Sequence, residues 1–312
     1  QLPAAKSESE PRRRELMLHL RNFFHSCLPQ SEDAKRFLRE RGLSNPELFT
    51  HFRLGFDDGR INLALPAAFH EPLRRFGVLN QNNRSRFYRC LTVGLEDGEG
   101  NVVSLYGRRL NGEKGSKHQY PGGKIVGLFN AAVLGASREL ILTEGPIDGL
   151  SVWAMDFRHV SCVFSASFTP PLLIEKILAG PVKTVYLALD NDAEGERACR
   201  ALAEKLSGIE VKRISFPTGI KDANELLVSY GMERAKECLT RLVEEAAPIL
   251  AAKPAKAELP KTLDIPIETS PDEIKTVIED RRYRIRGFGK NLSFEAMRIN
   301  LAVFFGKNFH ID

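Results

Sequence analysis

Between Glu139 and about Val228 the chain alternates short aliphatic runs with helix-length amphipathic segments, and this alternation limits its possible folds more than any other feature. The spacing predicts strands over 139–143, 160–164, 182–189 and 210–215, with helices over 146–156, 170–179 and 193–206 between them. Strands and helices in that order imply a parallel sheet covered by helices on both faces. Two of the aliphatic runs end in acids. Leu140-Ile141-Leu142-Thr143 leads into Glu144-Gly145-Pro146-Ile147-Asp148, and Tyr186-Leu187-Ala188-Leu189 leads into Asp190-Asn191-Asp192. Sheets of this kind place ligands just beyond the carboxyl ends of their strands. Pro146 suits the first turn of a helix, which puts Glu144 at a strand end and Asp148 one turn into the next helix, near the same mouth.

After the strand over 210–215, Lys221-Asp222-Ala223-Asn224-Glu225 offers a third acidic edge. Asp192 alone reads equally well as a helix N-cap, and Asp148 alone as a solvated helix residue. Together the acids are more specific. Glu144, Asp148, Asp190, Asp192 and Asp222 at one rim would repel one another and raise each other's pKa, and a hard cation is the simplest way to keep them ionised. Mg²⁺ prefers carboxylate and water oxygens and completes its shell with phosphates, so the expected substrates are nucleotides or nucleic acid.

Composition excludes several classes. With 312 residues, 43% hydrophobic and 27% charged, the chain has the make-up of a globular protein large enough for two ordinary cores. Its apolar runs are strand-sized, short of the roughly 20 residues that span a bilayer, and the amino terminus has no basic-then-apolar signal pattern. No membrane association is expected, and the expected compartment is the cytoplasm. The chain begins with Gln1, consistent with a piece of something longer. Cys27, Cys90, Cys162, Cys199 and Cys238 are scattered singly without a neighbouring His at ligand spacing, so no zinc site is expected. The net charge is only +5, but Glu71 to Lys124 holds ten Lys/Arg against five Asp/Glu, an excess suited to a polyanion.

Ahead of the acidic region, apolar positions at helical spacing over 13–28 predict an amphipathic helix. Ser31 caps a second helix through Leu38 that stops at Arg41-Gly42, and Asn45-Pro46-Glu47 opens a third. From Asn62 to Leu110 the pattern reads as extended, with a hairpin formed by 90–95 and 101–106. After a helix over 231–246, Pro248 to Pro266 reads as a linker. The expected organisation is a linker and helix over 1–30, a basic subdomain of mixed α+β type over 31–135, the α/β domain over 136–246, a linker over 247–270 and a small module over 271–312.

These motifs resemble a known family. Glu144-Gly145-Pro146-Ile147-Asp148, Asp190-Asn191-Asp192-Ala193-Glu194-Gly195 and Lys221-Asp222-Ala223-Asn224-Glu225 are similar to the Toprim domain of DnaG-type bacterial and phage primases. Ala34 to Leu43, Phe52 to Phe56, Arg86-Phe87, Tyr106-Gly107-Arg108, Lys117 and Gly127 to Ala131 follow in that family's order, so the resemblance covers roughly 12–245. It implies a Toprim-type, Rossmann-like parallel sheet preceded by a smaller subdomain. It also implies DNA primase activity, with single-stranded DNA as template, NTPs as substrates and an RNA primer as product. Glu144, Asp148, Asp190, Asp192 and Asp222 would bind Mg²⁺ or Mn²⁺, with Glu144, Asp190 and Asp192 catalytic. Arg84, Arg86, Arg108, Arg109, Lys117 and Lys221 would contact nucleotide or template. A replicative helicase and an upstream zinc ribbon are the expected partners, and a phage, plasmid or other mobile element the expected source. A Toprim-type nuclease and a non-catalytic single-stranded-DNA-binding module are the rival functions.

The chain departs from the family pattern at two places. Asn224 stands where an Asp is usual, which weakens that edge of the site, and Ser165-Ala166-Ser167 replaces a Gly-Thr turn. Gly122-Gly123-Lys124 lacks the first Gly and the Ser/Thr of a P-loop. Arg84, Arg86 and Arg89 with Phe87 and Tyr88 read either as a stacking surface or as a solvated face. Trp153 reads as core. In the tail, Arg282, Arg284 and Arg286 alternate with Tyr283 and Ile285 and predict one basic strand face.

Overall fold

The computed structural model describes residues 9–61, 65–110, 115–249, 267–270, 273–278, 281–286, 300–305 and 308–311. Contacts divide the chain into two compact units, 1–251 and 252–312. The first unit opens with α1 (Ser9–Cys27), which begins earlier than its apolar pattern because Pro11 fits the first turn, where no N–H is needed. Helix α2 (Glu32–Glu40) is capped by Ser31, whose hydroxyl accepts from Ala34 N–H at 3.2 Å. Helix α3 (Pro46–Phe52) is capped by Asn45, which accepts from Glu47 N–H at 2.9 Å. Strand β1 (Gly55–Phe56) then enters an antiparallel sheet, order β1-β2-β3-β4, with β2 (Cys90–Glu96), β3 (Val102–Arg109) and β4 (His118–Gln119).

The region after Asn62 is not extended throughout. A 3₁₀ turn (Ala67–Phe69) runs into α4 (His70–Arg75), where Pro72 sits within the first turn and Leu73 is fully buried. Six residues leave too little apolar periodicity to distinguish such a helix from strand in sequence. Helix α1 covers one face of the antiparallel sheet through Met17, Leu20 and Phe24, which pack with Leu73, Phe87 and Leu105. Phe87 is therefore core, not part of a stacking surface, while Tyr88 beside it is 50% exposed.

The α/β half holds β5 (Glu139–Thr143), α5 (Pro146–Ala154), β6 (Val160–Cys162), α6 (Pro171–Ala179), β7 (Thr184–Ala188), α7 (Ala193–Lys205), β8 (Glu210–Arg213), α8 (Ala223–Tyr230) and α9 (Met232–Glu244). Its sheet has the order β6-β5-β7-β8-β9, the first four strands parallel. Edge strand β9 (Ala247–Pro248) pairs antiparallel to β8, so the predicted linker begins inside the sheet, and most of the rest, 250–266, lies outside the described residues. The alternation of each strand sorts its side chains. Leu140, Leu142, Val185 and Leu187 face Leu173, Ile177 and Leu202 of α6 and α7. Ile141, Tyr186 and Ala188 face the side that carries Leu150, Trp153, Leu226 and Leu239. Both faces are covered, which is why these strands are continuous aliphatic runs in sequence. The second core also takes in Phe37, Leu38, Leu43 and Phe52, so the amino-terminal helices share it with the parallel sheet.

Strand β5 lies between β6 and β7, so the chain leaves it in opposite directions and opens a crevice at the carboxyl ends of β5 and β7. Trp153 is core, 3% exposed, with the Arg158 guanidinium 3.6 Å from its ring centroid. Arg158 also reaches Glu47 and Asp156, each at 3.0 Å. Because this cluster is partly solvated, Arg158→Ala should lower stability by only about 1 kcal/mol. Urea unfolding followed by Trp153 fluorescence should show that loss, and an unchanged midpoint would refute it.

The second unit is an antiparallel meander of β10 (Ile267–Ser270), β11 (Glu273–Ile278), β12 (Arg281–Arg286), β13 (Asn300–Phe305) and β14 (Asn308–Ile311). On β12, Arg284 and Arg286 both donate to Glu273, the latter at 2.8 Å, so two of the three predicted basic positions share one carboxylate. Among the described residues no helix is long and apolar enough to cross a membrane.

Candidate active site

The acids gather at the crevice. Glu144 follows β5 directly, and Gly145 N-caps α5, which carries Asp148 in its first turn. Asp190 follows β7, and Asp192 caps α7 by accepting from Glu194 and Gly195 N–H at 3.0 and 2.9 Å through Oδ1. Asp222 caps α8, accepting from Glu225 N–H at 2.7 Å through Oδ1. Each cap bond occupies one carboxylate oxygen, so capping and a second role are compatible for Asp192 and Asp222. Asn191 ties these segments together. Its N–H donates to the Lys221 carbonyl at 2.7 Å, and its amide reaches the Phe216 and Ile220 carbonyls at 3.2 and 3.4 Å.

Burial and then mutual repulsion act on the ionisation of these acids. Burial raises the Glu144 pKa, and the charges of Asp190 and Asp192 raise it further against Lys221. Asp148 keeps some solvent contact but lies deep among protein atoms. Its pKa is well above the usual carboxylate value through desolvation first, then Asp222, Asp190 and Glu144. Asp190 is raised by burial too, although Lys221 opposes this. Asp192 is the exception, lowered chiefly by the Gly195 N–H. The Lys221 ammonium sits 2.9 Å from Asp190 and 3.8 Å from Asp192, and its own pKa is raised, first by the bond to Asp190.

Among the described residues, no three Asp, Glu, His or Cys side chains stand close enough to enclose an ion as they are placed. The donor set nevertheless fits a hard divalent cation in kind. It consists of carboxylates gathered at the strand ends, of which Glu144, Asp148 and Asp190 are raised in pKa, with the Lys221 ammonium already drawn between Asp190 and Asp192.

Two side chains and one backbone N–H support the site in ways sequence reasoning did not show. Arg213, 9% exposed, donates to the Leu187, Leu189 and Asp190 carbonyls at 3.3, 3.0 and 3.0 Å and so holds the end of β7. The Ala166 N–H, in the Ser165-Ala166-Ser167 turn, favours the ionised Glu144 carboxylate and opposes the rise in its pKa. Arg41, at the end of α2, feels the charges of Arg108, Asp222 and Asp148, and its pKa is lowered mainly by desolvation. An Arg at an inward strand position was the one available signal for Arg213. Nothing local in sequence marks the other two.

The predicted basic residues divide. Arg108 lies within electrostatic reach of Arg41 and donates to His118 Nε2 at 3.2 Å. His118, opposite Arg108 in the β3–β4 register, is pushed down to about 4 by desolvation and then by Arg108 and Lys117. A guanidinium can only donate, so neutral His118 carries its proton on Nδ1. Arg109 anchors a loop, donating to the Ser116 and Tyr88 carbonyls at 3.2 and 3.1 Å. Lys117 is exposed beside His118. Arg84 and Arg86 are exposed on the 78–86 turn, where Arg86 Nε donates to the Gly77 carbonyl at 3.2 Å. No described contact joins either of them to the acids.

Residues 141–227 match the family described as Toprim-like. The chain has the fold of a DnaG-type primase catalytic core. A structure of the Aquifex aeolicus primase, comprising zinc-binding and RNA polymerase domains, superposes with a TM-score of 0.66 at 22% identity, covering 80% of this chain and 64% of that one. The DnaG primase catalytic domain bound to single-stranded DNA gives 0.65 at 19% identity, covering 78% and 81%. In sequence, the DNA primase of Haemophilus influenzae is 25% identical over 265 residues, which are 75% of this chain and 43% of that protein. The chain thus spans about two fifths of the length of the curated relatives it matches. Within the primase-core fold, Glu144 to Asp222 all lie inside the Toprim-like segment, while Arg41 and Arg108 come from the region ahead of it.

Proposed function

We propose that this chain is the catalytic core of a DNA primase, making short RNA primers on single-stranded DNA by metal-dependent nucleotidyl transfer. One observation carries the reading. Glu144, Asp148 and Asp190, from separate segments of a primase-core fold, have their pKa raised at the strand ends by burial first and then by neighbouring acids, with Asp222 and Arg41 within electrostatic reach of Asp148. Glu144, Asp190 and Asp192 would hold Mg²⁺ or Mn²⁺, supported by Asp148 and Asp222. When bound, such ions lower the pKa of a primer 3′-hydroxyl and neutralise charge on the incoming triphosphate. Arg108, Lys117 and Lys221 would supply positive charge toward phosphates, Lys221 being the cation that pairs with Asp190 here. Arg84, Arg86 and Arg109 would follow a template backbone. Replicative helicase and zinc-ribbon partners, and an origin in a mobile element, belong to the same proposal.

The test is primer synthesis on single-stranded DNA with Mn²⁺ and labelled nucleotides, using Glu144→Gln and Asp190→Asn beside the parent. Synthesis by the parent and loss in both variants is expected. Activity surviving in both would refute the assigned site. Loss of labelled DNA ends without added nucleotide would identify a nuclease, and salt-sensitive DNA binding indifferent to divalent ions would identify a binding module.

A further inference from the structure

Asn224 occupies the position where the family resemblance leads one to expect an acid, and its surroundings explain the amide. It is 2% exposed, and all its polar groups are engaged. Nδ2 donates to the Arg41 carbonyl and to Ser151 Oγ, both at 2.9 Å. Oδ1 accepts from Arg41 NH1 at 2.8 Å, and the backbone N–H donates to Asp148 Oδ1 at 3.3 Å. Ser151 Oγ in turn donates to the Ile147 carbonyl at 2.9 Å, fixing its lone pairs toward Asn224. A carboxylate here could accept from Arg41 but would set its other oxygen against a carbonyl and a hydroxyl that both need a donor. Only a group that donates and accepts satisfies the position.

The partner lies 183 residues away in sequence. Arg41 is the C-cap residue of α2; its guanidinium stands 5.4 Å from the Phe37 ring centroid, and its backbone is bonded to the last turn of the helix. The Arg41 carbonyl that accepts from Nδ2 is backbone at the end of α2, so this bond ties the helix end itself to Asn224. On the other side, α5 supplies both Ser151 and Asp148. The amide thus joins three elements, one of them from the amino-terminal helices.

We propose that Asn224 and Arg41 form a positioning pair: they clamp the end of α2 to α5 and α8 and aim the Asp148 carboxylate into the acid cluster. The role given to Asp148 rests on the reading above; the clamp itself rests only on the hydrogen bonds. At this corner the amide serves as a brace and not as a weakened ligand.

The experiment uses the full chain and two readouts: melting without divalent ions, and Mn²⁺ binding followed by electron paramagnetic resonance. Asn224→Asp should lower the melting temperature and weaken Mn²⁺ binding about 10-fold, despite its added carboxylate, as loss of an outer-sphere support does. Arg41→Lys, which keeps the charge and loses the fork, should weaken Mn²⁺ binding in the same direction, and it decides the matter if the first variant fails to fold. Combining Arg41→Ala with Asn224→Ala should cost less than the two single losses together. Tighter Mn²⁺ binding by Asn224→Asp at unchanged stability overturns the proposal and makes the position a ligand. Lower melting with Mn²⁺ binding unchanged in both variants overturns the positioning role. A parent chain that binds no Mn²⁺ overturns the primase reading and the aiming of Asp148 together.

Discussion

Asp148→Asn is expected to stabilise the chain in the absence of divalent ions while lowering primer synthesis by about 10²-fold or more, at least the loss that follows removal of an outer-sphere metal support. Both effects have one origin. In the folded chain the Asp148 pKa is raised well above its ordinary value by desolvation and then by Asp222, Asp190 and Glu144. A carboxyl that is harder to ionise folded than unfolded contributes stability that is fully present below its unfolded value of about 4. That contribution is lost as pH rises through the raised folded value. An amide keeps the acceptor for the Asn224 N–H and never ionises, so the variant escapes the loss. The melting temperature of the variant should therefore exceed that of the parent by a margin that widens as pH climbs from about 4 toward neutrality. At neutral pH the gain should be about 1–3 kcal/mol, the usual scale for burying an uncompensated polar group. Saturating Mn²⁺ should erase or invert the difference, because a cation among the acids favours their ionised form and binds only the folded state. Thermal melts of both proteins from acid to neutral pH, with a chelator or with Mn²⁺, read this directly. A margin that narrows with rising pH in the chelator series would show that Asp148 is not held among like charges.

The acid cluster was legible in sequence because its physics is local. A strand buried on both faces is a continuous aliphatic run, and the first acid after it must lie at the strand end, where the sheet opens. Helix caps were legible for the same reason, since Ser31 and Asn45 bond to N–H groups only two or three residues away. Legibility failed where a side chain acts across the fold. Arg41 reads in sequence as an ordinary basic residue at a helix end, and its bond to Asn224 depends on how α2 packs against α5 and α8. Arg213 reaches carbonyls 24 and 26 residues earlier in the chain, through a strand pairing that no local pattern encodes. The helix from His70 to Arg75 was misread as extended, being too short to display a period. Asn224 looked like a deficit because only the residue type was visible; its four hydrogen bonds require the tertiary structure to be seen.

Gly195→Ala is expected to be the most damaging of the conservative substitutions near the site, although Gly195 carries no chemistry. A β-carbon there would lie 2.1 Å from the Asp190 carbonyl oxygen and 3.0 Å from its carbonyl carbon. Both are backbone atoms, so no side-chain rotation can relieve the overlap, and either α7 or the Asp190-Asn191-Asp192 turn must move. Ala is otherwise the better helix former, by about 1 kcal/mol over Gly, so any loss measures the steric conflict after that gain has been subtracted. Overpacking of this sort costs roughly 1–3 kcal/mol, and more when backbone is displaced. The Gly195 N–H also donates to Asp192 Oδ1 at 2.9 Å, so a shift of the helix start moves the second acid as well as the first. Misplacing reacting groups by about 1 Å can cost 10²-fold in rate, and a loss of that order in primer synthesis is expected alongside weaker Mn²⁺ binding. Gly135→Ala is the control, because nothing lies within 4 Å of its missing β-carbon and its backbone is not left-handed. If Gly195→Ala melts and binds Mn²⁺ like Gly135→Ala, then the turn that presents Asp190 and Asp192 is not held against α7 as the structure places it.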